Sequence, residues 1–196
     1  MNRVPFTENE LRESLQKYKS HTKDLSARTL DVDSFWEEET QMLAEFPEIF
    51  QREECIPELK HLKCLTKWKW AGLWANYAHE NSREKLQEVT SEAFQLTKDN
   101  PKPDDEAVRK QLDRLSDLTG ISAATGTVLL TYWRPEVYTV MDERALSTLS
   151  SYDIWTGDTE ANIDDYPQYI KLCRSISQEV GINLRDTDRA LWSLGG

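Results

Sequence analysis

The sequence has few of the residues that usually bind metals, and those it has are widely spaced. Its three cysteines, Cys55, Cys64 and Cys173, cannot supply the four thiolates of an iron–sulfur cluster and match no zinc pattern. Its three histidines form no cluster with ligand spacing either. We therefore expect no metal and no cofactor. Because apolar residues surround the cysteines, we interpret them as buried free thiols.

Long hydrophobic runs are also missing. No apolar stretch is long enough to span a membrane. The first ten residues, MNRVPFTENE, lack the apolar core of a signal peptide. We expect a cytoplasmic monomer with no membrane partner.

The chain is short of positive charge. Its 24 lysines and arginines face 35 aspartates and glutamates, giving a net charge of −11. A DNA-binding domain is usually basic, so this balance argues against a nucleic-acid partner. An acidic protein can still bind DNA through a local basic face, with strong sensitivity to salt.

What is present in nearly every segment is the 3.6-residue periodicity of helices. Thr7 with Glu10, and Ser34 with Glu37, form capping boxes. The pattern predicts about nine helices and at most one short extended segment, Val137–Val140, so the expected class is all-α. Among the boundaries, Pro47 is predicted to end the second helix, and Asn81 and Asp186 are predicted to cap later ones.

The most informative stretch runs from Leu112 to Leu149. A leucine-lined helix is predicted to stop at Thr119-Gly120, because glycine supplies the positive φ of a tight turn. Ser122 is a candidate N-cap for a second helix, which starts with small residues. The free N–H groups at such a start can bind an anion. Asp142 lies at the start of a third helix.

This stretch resembles the helix-hairpin-helix DNA glycosylases. Gly120 matches the first glycine of the family hairpin, Ser122 replaces the second, and Gly126 matches a small packing residue. Asp142 matches the catalytic aspartate, which follows a Pro-containing extended segment. The matched stretch covers about a sixth of the chain, and a hairpin followed by this aspartate is more specific than a hairpin alone.

The resemblance implies a fold of two helical lobes with an active cleft between them. Residues 35–133 would form a helical barrel carrying the hairpin, at about 112–132, and residues 1–34 with 136–196 would form the second lobe. The residues expected to contact DNA are Gly120, Ile121, Ser122, Ala124, Thr125 and Arg144. The residues expected to line the substrate pocket are Trp68, Lys69, Trp133 and Tyr138.

The resemblance also implies a reaction, release of a damaged or modified base flipped out of duplex DNA. A carboxylate at Asp142 would stabilise the oxocarbenium-like transition state and activate water. Ala124 stands where members that also cut the strand place a Schiff-base lysine. Lys67 or Lys69 could substitute only by coincidence, so we expect a monofunctional hydrolase.

Simpler interpretations stay open. Asp142 can be only a helix cap, and Arg144 only an exposed helix residue. Trp70 and Trp74, one helical turn apart, can be core residues. Two other classes also remain: a non-catalytic DNA-binding module, and a protein-interaction domain on a degenerate glycosylase scaffold, which the acidity would suit.

Overall fold

A computed structural model of the chain describes residues 4–71 and 80–195. That part contains nine helices and no strand, which confirms the all-α class. The helices are α1 Glu8–Lys23, α2 Phe35–Glu53, α3 Leu59–Lys69, α4 Arg83–Gln95, α5 Asp105–Leu115, α6 Ala123–Trp133, α7 Glu143–Ser151, α8 Tyr166–Val180 and α9 Leu184–Leu194. None of these helices is long and apolar enough to cross a membrane.

Local sequence signals set most of the helix starts. Both predicted capping boxes form, at α1 and α2. The prediction that Pro47 ends α2 is wrong. Phe46 and Phe50 are buried on either side of the proline, and their packing outweighs its cost of about 3 kcal/mol or more. The predicted caps of two later helices are off by one and three positions, because Ser82 caps α4 and Asn183 caps α9.

The predicted extended segment, Val137–Val140, forms no strand in the described part of the chain. It is buried between helices, where backbone groups need partners other than water. Tyrosine hydroxyls supply two of them. Tyr166 Oη donates to the carbonyl of Thr139 at 2.8 Å, and Tyr169 Oη to that of Val140 at 3.0 Å.

Helix contacts arrange the chain around α6 and α9. Helix α6 packs against α2, α3 and α5, whereas α9 packs against α1, α7 and α8. The pairs α1–α2 and α5–α8 join these two sets, and the buried apolar side chains form one continuous cluster. The two-lobe division at residues 35–133 stays a prediction.

Helix α6 fixes the approach to α7. All its residues from Thr125 to Trp133 are buried, and the hydroxyls of Thr127 and Thr131 bond to backbone groups there. Thr127 Oγ1 donates to the carbonyl of Ala124 at 2.7 Å and accepts from the amide of Met141 at 3.1 Å. The residue before Asp142 is thereby tied to the middle of the fold.

Candidate functional site

Asp142 caps α7 and also pairs with a lysine. Its Oδ1 atom accepts a hydrogen bond from the amide of Arg144 at 3.0 Å. Its Oδ2 atom forms an ion pair with Nζ of Lys69, the last residue of α3. Asp142 is therefore a helix cap. Its carboxylate also makes a second contact, with Lys69, that helix capping does not require.

Asp142 and Lys69 line a cavity of about 230 Å³. We call this the Asp142 cavity. Its walls come from α1, α2, α3, α7, α9 and the segments beside them. The lining residues are Tyr18, His21, Thr22, Leu25, Arg28, Phe35, Trp68, Lys69, Val140, Asp142, Arg144, Arg185, Asp188, Arg189 and Trp192. The cavity is smaller than the roughly 300–1,000 Å³ of most small-molecule sites, but its border of aromatic rings with a few polar groups is typical of them.

The lysine and the aspartate shift each other's protonation. Burial lowers the pKa of Lys69, whose side chain is 6% exposed, and the attraction of Asp142 only partly opposes that effect. Burial alone would raise the pKa of Asp142. Lys69 and the amide of Arg144 outweigh it, so the pKa of this carboxyl is lowered. Asp142 is consequently ionised at neutral pH.

One wall of the cavity is a buried ionic network. Glu39 on α2 is fully buried and accepts hydrogen bonds from Arg185 and Arg189 of α9 and, at 2.9 Å, from Tyr18 of α1. Asp188 pairs with Arg185 as well. A buried charge needs such partners, so the network holds the three helices in one arrangement.

Two further cations give the cavity a local positive charge. Arg28 and Arg144 have no carboxylate within ion-pair distance among the described residues. Arg28 donates instead to the carbonyl of Lys67 at 3.1 Å, and the guanidinium carbon of Arg144 lies 3.6 Å from the ring centroid of Trp192. The acidic chain therefore has a cationic spot that an anionic ligand can reach.

The hairpin forms as predicted, but it borders a second space that is separate from the Asp142 cavity. Gly120 has a φ of +81°, and Ser122 is the N-cap of α6, without a side-chain hydrogen bond to the helix amides. Ser82 takes the capping role predicted for Asn81. Asn81 instead forms two hydrogen bonds with the backbone of the turn. Its amide donates to the carbonyl of Thr119 at 3.0 Å and accepts from that residue's N–H at 2.9 Å.

The space beside the turn measures about 590 Å³. We call it the hairpin groove. It is lined by Trp70, Ser116, Asp117, Leu118, Thr119, Gly120, Ile121, Ser122 and Thr125. Trp70 is 44% exposed, so the interpretation of Trp70 as a core residue is wrong. Trp74 lies outside the described residues.

The expected site residues thus fall into three groups. Gly120, Ile121, Ser122 and Thr125 line the hairpin groove, whereas Trp68, Lys69, Asp142 and Arg144 line the Asp142 cavity. Trp133 and Tyr138 reach neither space. Trp133 stacks on Phe94 with centroids 4.2 Å apart, and Tyr138 Oη bonds to Gln111 at 2.7 Å in the core. Ala124 lines neither space.

The indole ring of Trp68 contacts two other side chains. Phe35 stacks on it at a centroid distance of 5.9 Å, and the guanidinium of Arg185 lies 5.1 Å from its centroid. Its indole Nε1 is buried without a hydrogen-bond partner in the described structure. Trp68 is therefore a fixed wall of the cavity whose ring is already in contact with other residues.

Several cavity residues were not singled out from the sequence. They include Tyr18 of α1 and, on α9, Arg185, Arg189 and Trp192. The signal was present on α9, where these three residues recur at intervals of four and three and so share one helical face. Arginines on a buried face indicate a paired network or a site.

No metal-binding group of three or more His, Cys, Asp or Glu side chains occurs within residues 4–71 and 80–195. Cys55 and Cys173 are buried free thiols as expected, whereas Cys64 is only partly buried. No family model matches the chain, and neither a curated protein nor a solved structure shows significant similarity to it.

Proposed function

We propose that the protein hydrolyses the N-glycosidic bond of a modified base that has been flipped out of duplex DNA. The observation that carries the proposal is the ionised carboxylate of Asp142 at a small cavity lined by aromatic rings and arginines. Breaking the bond between C1′ and a base nitrogen develops positive charge on the sugar. A fixed carboxylate beside C1′ stabilises that charge and can orient water.

The position of Asp142 suits this role. Its hydrogen bond to the amide of Arg144 fixes the carboxylate, and the start of α7 favours negative charge. Lys69 holds the other oxygen in the absence of a substrate. A sugar entering the cavity would displace Lys69 from Asp142 or contact the carboxylate beside it. The positive charge that develops on the sugar would then take the place of the lysine charge next to Asp142.

Recognition of DNA would use both spaces. Arg28 and Arg144 line the Asp142 cavity and form no ion pair with a carboxylate among the described residues, although Glu38 attracts Arg28 and Asp142 attracts Arg144. Both arginines are suited to phosphates flanking a flipped nucleotide. The open start of α6 in the hairpin groove presents backbone N–H groups to the duplex. Binding should be weak and salt-sensitive, because the rest of the surface is acidic.

The test is a release assay over a panel of modified-base duplexes, comparing Asp142→Asn with wild type. Loss of the charge should reduce release by roughly 10²–10⁴-fold, the usual contribution of a catalytic acid or base. Asp104→Asn is the matched control. Asp104 also caps a helix, accepting from the amide of Ala107 at 2.8 Å, but it lies outside the Asp142 cavity.

Asparagine caps helices about as well as aspartate, so both variants should stay folded. Circular dichroism checks this point, since Asp142→Asn also leaves Lys69 without its carboxylate. Undiminished release by Asp142→Asn, or an equal loss in Asp104→Asn, would remove Asp142 from the mechanism.

A protein-interaction domain on the same scaffold is the second candidate. It is favoured by the net charge of −11 and by Asp117 at the hairpin groove. Arg114, which pairs with Asp117, also pairs with Glu88 and Glu92, so its charge is already neutralised. Duplex binding decides between the candidates, because an interaction domain would show neither binding nor base release.

A further inference from the structure

We infer that the Asp142 cavity also accepts free nucleoside 5′-monophosphates and hydrolyses their N-glycosidic bond, with Arg144 binding the phosphate. The inference rests on the proposed function, because it uses the same carboxylate and the same kind of bond. It goes beyond that function in the substrate, which is a single free nucleotide instead of a nucleotide held in a DNA strand.

The guanidinium group of Arg144 is held in place, but its N–H groups have no acceptor. Its central carbon lies 3.6 Å from the ring centroid of Trp192. Asp142 attracts it electrostatically, yet the side chain makes no hydrogen bond or ion pair among the described residues. A stacked guanidinium presents five N–H donors in one plane, which suits the oxygens of a phosphate. Arg144 is thus a preformed contact for one phosphate group.

Burial distinguishes the floor of the Asp142 cavity from its mouth. The lining residue Arg185 is buried, whereas Arg144 and Trp192 are partly exposed and His21 is exposed. The side chain of Asp142 is 21% exposed and lies between these two levels. The base and the 5′ phosphate of a nucleotide are attached on opposite sides of the sugar. A base in the cavity, with its sugar at Asp142, therefore leaves the phosphate at the mouth, where Arg144 lies.

The charges beside the mouth favour one phosphate over a strand of them. The whole chain has a net charge of −11. Next to the lining residues Leu25 and Arg144, the chain places the exposed carboxylates of Asp24 and Glu143, and Lys23 offsets only one of these charges. The flanking phosphates of a strand meet this acidic surface, whereas a free monophosphate has only the group that Arg144 binds. For the same reason, monophosphates should be better substrates than triphosphates.

The reaction balances with water as the only second reactant. The bond between C1′ and the base nitrogen breaks, and its electron pair leaves with the base. Asp142 stabilises the positive charge that develops on the sugar, as an ionised carboxylate can. The oxygen of a water molecule then bonds to C1′, and one of its protons ends on the base nitrogen. The products are the free base and the sugar 5-phosphate.

The experiment presents each modified base of the release panel to the full chain in three forms. These are the duplex, the free 2′-deoxynucleoside 5′-monophosphate and the nucleoside without phosphate. Chromatography measures the released base, and initial rates give kcat and KM. The key variant is Arg144→Gln, which keeps a polar side chain but removes the charge. Arg52→Gln is the matched control, because Arg52 is exposed on α2 and lies outside the Asp142 cavity.

We expect wild type to release bases from monophosphates more efficiently than from nucleosides. Arg144→Gln should raise the KM for monophosphates by roughly 10–100-fold, the usual effect of losing a hydrogen bond to a charged group. Arg144→Lys, which keeps the charge, should recover part of that loss, and Arg52→Gln should behave as wild type. Asp142→Asn should stop release from all three forms, because they share one carboxylate.

Release from the duplexes without release from any monophosphate would overturn the inference and leave the proposed function standing. The inference would also fail if Arg144→Gln raised the KM for monophosphates no more than Arg52→Gln, or if Asp142→Asn still released their bases at the wild-type rate. Release from monophosphates alone would support the inference and count against duplex DNA as the substrate.

Discussion

Two helix starts in this molecule are built in opposite ways. Helix α6 begins behind Ser122, which makes no side-chain hydrogen bond to the helix amides, beside an open groove of about 590 Å³. Helix α7 begins behind Asp142, whose carboxylate bonds to one amide and to Lys69 in a cavity of about 230 Å³. One start leaves room for an outside anion, and the other already holds an anion of the protein.

The difference suggests a separation of tasks. Backbone amides without a side-chain cap can bind a DNA phosphate. Such a contact positions the protein on the duplex but does not distinguish one base from another. A carboxylate held on both oxygens suits chemistry, because its geometry is fixed before a substrate arrives. We therefore expect changes at the hairpin groove to alter DNA binding, and changes at the Asp142 cavity to alter the reaction or the folding.

The largest effect should come from the wall of the Asp142 cavity. Glu39→Gln removes the charge that Arg185 and Arg189 share, leaving two buried arginines under-compensated. We expect the free energy of unfolding to fall by about 3–5 kcal/mol, the usual cost of breaking a buried pair. Urea denaturation measures it. Glu48→Gln, at an exposed position on the same helix, should change it by less than about 0.5 kcal/mol.

A smaller effect should follow from the hairpin. Gly120→Asp places a side chain at a φ of +81° and adds negative charge beside the groove. We expect duplex affinity to fall about tenfold, or about 1.4 kcal/mol, alike for all sequences. Fluorescence anisotropy measures the affinity.

Gly181→Asp supplies the control for that change. Gly181 also has a positive φ, +72°, with open space around it, and it caps α8 away from the hairpin groove. The control introduces similar strain and the same charge. Equal weakening by the two variants would mean that the hairpin is not the contact with DNA.

The smallest effect tests whether the Asp142 cavity also holds phosphate. Arg144→Gln should weaken duplex binding a few-fold and reduce the slope of log affinity against log salt by about 1. The control is Arg52→Gln on the exposed side of α2, which should leave the slope unchanged. An unchanged slope for Arg144→Gln would show that Arg144 makes no phosphate contact.

The sequence predicted features that depend on neighbours three or four residues away. The capping boxes at Thr7 and Ser34 and the turn at Gly120 belong to this kind, because each is decided by local backbone geometry. The helix break at Pro47 was also predicted locally, and tertiary packing overrode it.

The walls of the candidate site could be predicted only in part. Trp68 and Lys69 lie in a stretch that is dense in tryptophan and lysine, and both line the Asp142 cavity as predicted. Tyr18 and Arg189 meet at Glu39 from distant parts of the chain, and no local pattern encodes that meeting. Trp133 and Tyr138 follow the hairpin stretch in sequence, but Trp133, the last residue of α6, and Tyr138, in the segment after it, are both buried in the core.

The long reach of the Glu39 network has a consequence for the order of synthesis. Arg185 and Arg189 follow Glu39 by 146 and 150 positions. At the usual pace of a ribosome, roughly 5–20 residues per second, Glu39 would wait about 7–30 s for these partners. The wall of the Asp142 cavity cannot form until Arg185 and Arg189 have been synthesised. A nascent chain therefore contains the hairpin and Asp142 before its substrate cavity is complete.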